Sequence, residues 1–265
     1  MLASMMLAAA MGLIAWGPIL LTAQMHQYAD NRSWFGLPGA ANIWVNVVMF
    51  AAGAWGWKTT QASHWSTQLR TPWQLFQLCV MVSAVMSALY HASPGDCLFV
   101  LTHVFTASGF VMLTLGMLAE RVHPRFGSPG LCWFVLLSVA LTGGLMLLGR
   151  SPDAAVDMRP LLLLEIIPVL VIPAGALGLP GHFTHALDWV VVLTLYALAK
   201  LLETNDAFIL EASGWVSGHT LMHLMLAAAA AWMAYCAVVA RAAARSSAEE
   251  SDETNHRDTS LNTAG

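Results

Sequence analysis

The sequence predicts an all-α, polytopic membrane protein, and three observations carry that prediction. The 265-residue chain is 58% hydrophobic and only 10% charged, whereas soluble domains carry roughly 25% charged residues. Its mean hydropathy is +0.65. Apolar runs of about 20 residues, enough to cross a hydrocarbon core about 30 Å thick at 1.5 Å per residue, recur along nearly the whole length.

Breaking those runs at charge, Gly and Pro gives eight expected helices. The first covers residues 5 to 23; it is rich in Ala and Met and has no basic flank, so it reads as a retained helix with a cleaved leader as the alternative. The others are expected at 41 to 57, 73 to 91, 97 to 119, 131 to 149, 160 to 179, 186 to 202 and 215 to 240. From Arg241 the composition turns polar and acidic, which predicts a disordered tail over 241–265. Lys58, Arg70, Arg121, Arg125, Arg241 and Arg245 fall in loops on the amino-terminal side, against Arg32, Arg150 and Arg159 on the other. The positive-inside rule therefore places both termini in the cytoplasm.

Composition also excludes function classes. A net charge of −4 with eleven dispersed Lys and Arg leaves no basic patch for nucleic acid. There is no nucleotide loop, no GxSxG elbow and no HExxH. Cys79, Cys97, Cys132 and Cys236 lie in or beside apolar runs without CxxC spacing and read as core filler. Nothing in the chain points to an obligate protein partner.

Ten histidines require sorting, because a polar ring inside hydrocarbon needs a partner or a task. His26, His64, His123, His182, His185 and His256 fall in loops, at helix ends or in the tail, where water satisfies them. His219 and His223 sit four residues apart at the start of the last apolar run, on one helical face within reach of a common ligand. The same spacing also occurs where histidines hydrogen-bond neighbouring helices. His91 closes the third run, with Ser87 one turn earlier on its face. The third run ends on the side of the membrane from which the eighth begins, so all three histidines have compatible depths. Three imidazoles with one position open is the ligand set of a catalytic zinc site.

Ser87-x-x-x-His91 and His219-x-x-x-His223, with the blocks ADNRSWFGLPGAANIWVNVVMF, ALYHASP and YALAKLLETNDAFILEASGWVSGHTLMH, resemble the alkaline ceramidase family, in particular its bacterial members. That family lies within the seven-helix intramembrane hydrolases that include the progestin and adiponectin receptors. The resemblance spans roughly residues 28 to 235. It implies a seven-helix membrane domain over 25–240, with residues 1–24 an added N-terminal transmembrane helix, in a bacterial inner membrane. It further implies a Zn2+-dependent amidase that cuts ceramide-like N-acyl lipids into fatty acid and sphingoid base. His91, His219 and His223 would hold the metal, and Ser87 would support the activated water or the oxyanion.

The sequence departs from the family where an aspartate is expected about eleven residues past the first histidine: Thr102 stands there. Threonine cannot titrate, and losing a positioned proton carrier costs roughly 10²–10⁴-fold in rate. Three groups are candidate substitutes. Asp96 lies in a turn-like PGD, Glu165 lies about a turn inside the sixth run, and His103 adjoins Thr102. For Glu165 the bland alternative is an ion pair with Lys200 or snorkelling to the interface; His103, about 100° around the helix from Thr102, is a candidate supporting or proton-shuttling group. Met222, between the paired histidines, replaces a basic residue of many bacterial members, which bears on headgroup selection.

Asn42 and Asn46 share one face of the second run and read as helix stitching. Asp30 and Asn31 are too few oxygens for the calcium site of animal relatives, so no calcium is expected. Lys200 and Glu203 should pair three apart. Two other readings stand beside the hydrolase. A catalytically degenerate lipid binder or sensor with a structural zinc would tolerate Thr102. Copper or haem handling is suggested by the 15 methionines but not by the histidine spacing.

Overall fold

The computed structural model describes residues 2–63, 65–149 and 155–262, with side chains over 3–63, 65–149 and 155–240. Among the described residues there are nine α-helices and no strand beyond isolated bridges. They are α1 Leu2–Trp16, α2 Ala40–Gln61, α3 Thr67–Ala92, α4 Asp96–Arg121, α5 Pro129–Leu148, α6 Arg159–Gly178, α7 Ala186–Thr204, α8 Asp206–Ser213 and α9 Gly218–Asn262. His64 and Arg150 lie outside the described residues, as do the side chains of the polar tail and of His256, where only the backbone of α9 continues to Asn262.

Each of the eight expected helices has a counterpart, but the first is a correction. α1 stops at Trp16, because Gly17 takes φ +93° and Pro18 cannot continue the helix. Its 15 residues reach about 22 Å, short of a core about 30 Å thick. α8, with eight residues, was not expected from the sequence.

Among the described residues, five helices are long and apolar enough to cross a membrane: α3, α4, α5, α6 and the Gly218–Ala240 part of α9. α2 and α7 are 22 and 19 residues long but are interrupted by Asn42 and Asn46, and by Asp188, Lys200 and Glu203. These two flank α9, while α3 packs between α2 and α4, and α6 lies against α4 and α1. Trp73, Met112, Met117, Trp189 and Met233 are almost wholly enclosed at the centre.

The loops gather into two sets at opposite ends of the bundle. At one end, Leu21 N–H donates to Val156 O at 2.8 Å, Ala29 N–H to Asp206 Oδ2 at 2.9 Å, and Arg32 Nη2 to Trp215 O at 2.7 Å. At the other, Glu120 Oε1 accepts from the backbone N–H groups of His182, Phe183 and Thr184. Arg121 donates to Ala176 O, Leu179 O and Thr184 O, and Trp65 meets Phe183 with ring centroids 5.5 Å apart. Both buried charges on α4 thus tie it to the α6–α7 turn, where their hydrogen bonds offset the cost of burial.

Candidate metal centre

α3 brings His91 to the site through its own pattern. Ser66 caps its first turn by accepting from Leu69 N–H at 3.4 Å. Leu69, Trp73, Phe76, Val80, Ala84, Ser87 and His91 then follow at three- and four-residue steps on the buried side. α9 starts level with the end of α3. Ser217 Oγ accepts from Thr220 N–H at 3.1 Å, and Asp206 Oδ1 from His219 N–H at 2.8 Å, so two side chains satisfy the free donors of the first turn. Gly218 is required there, since a Cβ would collide with Leu202 O and approach Asp206 Cα to 2.8 Å.

The structure brings His91, His219 and His223 together. All three are buried, and their ligand nitrogens lie within 4.8 Å of one another. His219 Nε2 is 3.2 Å from His91 Nε2 and 3.2 Å from His223 Nε2. Tetrahedral zinc with bonds of about 2.0–2.1 Å would set its nitrogens about 3.3 Å apart. An imidazole nitrogen has a single in-plane direction for either a proton or a lone pair. Mutual hydrogen bonding therefore accounts poorly for one nitrogen facing two others, whereas a shared cation accounts for all three. By donor chemistry and spacing the group could hold a metal ion.

The triad sits in the wall of a cavity of about 460 Å3 that is also lined by Ser87, Thr102, His103, Glu165, Lys200 and Asp206. Ser87 is buried on the His91 face. Thr102 donates its hydroxyl to Leu98 O one turn back, at 2.8 Å. Glu165 pairs with His103, Oε1 to Nδ1 2.9 Å, and not with Lys200, which pairs instead with Glu203 at 2.8 Å. Asp96 is not part of the cavity lining; His26 Nε2 holds its Oδ1 at 3.0 Å.

Several roles were not legible beforehand. His26 is not a water-satisfied loop residue, because its Nδ1 also lies 2.8 Å from the Tyr90 hydroxyl. Tyr28 covers the triad, its ring 4.7 Å from that of His91 and 4.3 Å from that of His219, centroid to centroid. Its hydroxyl donates to Tyr90 at 3.2 Å, and burial, with that hydrogen bond, pushes its pKa well above the usual phenol value. Tyr28 therefore stays a neutral donor. Asp206 joins the start of α9 to the backbone of Ala29. Asn42 stitches α2 to α9 as expected, accepting from Thr220 Oγ1 at 2.7 Å. Both Asp30 oxygens are engaged by Arg32, at 2.8 and 2.6 Å. Cys79, Cys132 and Cys236 are buried as filler, but Cys97 is exposed.

No family model matches the chain, and neither a curated protein nor a solved structure matches it significantly.

Proposed function

We propose that the protein is an integral membrane amidase, with a seven-helix core of α2–α7 and α9, that uses zinc to hydrolyse ceramide-like N-acyl lipids to fatty acid and sphingoid base. The observation that carries this reading is the convergence of three buried Nε2 atoms at the wall of a cavity whose other polar groups suit acyl transfer. Bound there by His91, His219 and His223, zinc would supply a Lewis acid that makes water nucleophilic near neutral pH and draws charge from a carbonyl oxygen.

The chain's own groups cover the remaining tasks. The Ser87 hydroxyl donates a hydrogen bond to the oxygen on which charge develops. Glu165 Oε1 orients the His103 ring through Nδ1, leaving Nε2 to pass a proton to the departing nitrogen as the C–N bond breaks. A second cavity, of about 110 Å3 and walled by Phe76, Val80, Phe105, Leu113 and Met233, shares Met49, Ser83, Thr106, Phe110, Tyr196 and Leu226 with the first. An apolar continuation of a polar site suits an acyl chain. Met25, Gln27 and Tyr28 line the cavity ahead of α2, with the Tyr28 ring over His91 and His219.

Thr102 favours a second reading, a lipid binder that retains the metal as a clasp, since its hydroxyl is committed to its own helix. One assay separates the two: release of fatty acid from labelled ceramide by the purified chain, beside His219→Ala and Thr102→Asp. Zinc-dependent release that disappears in His219→Ala is expected. A zinc-loaded wild type that is silent, with activity gained in Thr102→Asp, would establish the binder instead.

A further inference from the structure

A metal-bound imidazole that ligates through Nε2 carries its proton on Nδ1 and orients by donating it to an acceptor. The Nδ1 atom of His223 is fully enclosed and has no such acceptor among the described residues. A buried donor left without a partner costs free energy, so the vacancy calls for an explanation. Another buried atom in the same seam has the complementary deficit. Asn46 Oδ1 is enclosed, accepts no hydrogen bond among the described residues, and belongs to a side chain only 2% exposed.

The end of the Asn46 amide that is left open is set by its own helix. Nδ2 donates to Asn42 O at 2.8 Å, and the opposite assignment would press two oxygens together. The free end is therefore the acceptor. The register of the two helices matches the two deficits. α2 and α9 pack together and are joined near their starts where Thr220 donates to Asn42 at 2.7 Å. One step further in, Asn46 lies four residues beyond Asn42 and His223 three beyond Thr220. Steps of three and four residues stay on one helical ridge, so the register assigns Asn46 and His223 to the next level of the seam, where no direct hydrogen bond joins them among the described residues.

We infer that Asn46 is the positioning residue for His223: its Oδ1 accepts the Nδ1 proton of His223, directly or through one water, when Nε2 binds metal. Asn46 thereby fixes the tautomer and the ring plane of one ligand of three. The inference rests on the metal reading above and is independent of whether the lipid is cleaved.

The test is zinc affinity of the full chain in detergent, by competition with a chromophoric chelator, together with histidine nitrogen NMR of the zinc-bound protein. Asn46→Ala should weaken zinc by about 10–100-fold and release the Nδ1 proton of His223 to fast exchange. Asn46→Asp, which keeps an acceptor, should hold zinc at least as tightly as wild type. Asn42→Ala, which disturbs the same helix contact at the other level, should change the affinity less than about threefold. Wild-type affinity in Asn46→Ala, or equal losses in Asn46→Ala and Asn46→Asp, overturns the inference while leaving the metal centre standing. A wild-type chain that takes up no zinc overturns both. If Asn46→Ala fails to fold, the Asn46→Asp affinity and its Nδ1 signal decide alone.

Discussion

Thr102 stands where the family resemblance places a carboxylate, and its hydroxyl, donated to Leu98 O, offers the cavity no proton. Another arrangement in the cavity wall able to carry one is His103 with Glu165, 2.9 Å apart. Glu165 is 7% exposed, and a carboxylate so enclosed on a membrane helix is retained where it has a partner or a task. If the pair moves the proton, His103→Ala and Glu165→Gln should each lower single-turnover amide cleavage by about 10²–10⁴-fold. Bound zinc should stay unchanged, because neither residue belongs to the triad. Since the two act as a unit, the double variant should be little slower than either single one. Wild-type rates in both variants, measured with metal content by atomic absorption, would discard the pair. At this scale the triad was legible, because i,i+4 spacing and loop parity are both sequence properties. Tyr28 and Asp206 were not, since their contacts join segments far apart in the chain and no local pattern encodes them.

Between residue and fold, the start of α9 depends on what holds it. Asp206 caps it from α8, and Arg32 links the 28–39 segment to Gly214 O and Trp215 O, at 3.3 and 2.7 Å, just before it. Arg32 is itself aligned by Asp30, which is 1% exposed. Its side-chain hydrogen bonds hold the Asp30 carboxyl below the ordinary carboxylate range. A group with a depressed folded pKa contributes stability that is present above its unfolded value, about 3.9, and is lost as the pH falls through the folded value. Asp30→Asn should therefore lower the thermal midpoint at pH 7, with the gap to wild type closing as the pH is taken below about 4. A gap that stays constant across that range in thermal unfolding scans would show that packing, not the ion pair, is what Asp30 supplies. The helices themselves were readable from apolar run length. The end of α1 was marked in the sequence by Gly17 and Pro18, but the hydropathy of Ile19, Leu20 and Leu21 carried the expected run past it. α8 escaped because eight residues are too few to register as a span.

At the scale of the whole molecule, the two loop sets carry an argument about orientation. Residues 17–39, 205–217 and those flanking α6 at its start meet at the metal end, as Leu21 with Val156 and Ala29 with Asp206 show. The 62–66 and 179–185 loops meet at the other, through Trp65 and Phe183. Such alternation is what a chain produces when successive helices run in opposite directions across a slab. Lys58, Arg70 and Arg125 lie toward the second end, so the expectation under the positive-inside rule is that this end faces the cytoplasm and the metal end the other side. Arg121, which falls in the same tally, is buried and committed to carbonyls of the α6–α7 turn, so the bias rests on the exposed cations. Thiol labelling tests the arrangement directly. Cys97 is exposed at the metal end and the other three cysteines are buried, so Cys97→Ser supplies a quiet background. Ala212→Cys on α8 and Gly130→Cys on α5 then mark opposite ends, and a Cβ at Gly130 meets nothing within 4 Å. A membrane-impermeant maleimide should modify the Ala212→Cys variant in spheroplasts and the Gly130→Cys variant only in inverted vesicles. Labelling of both from one side would contradict the alternation itself, whereas the mirror pattern would keep the bundle and reverse its orientation, moving the metal end to the cytoplasmic face.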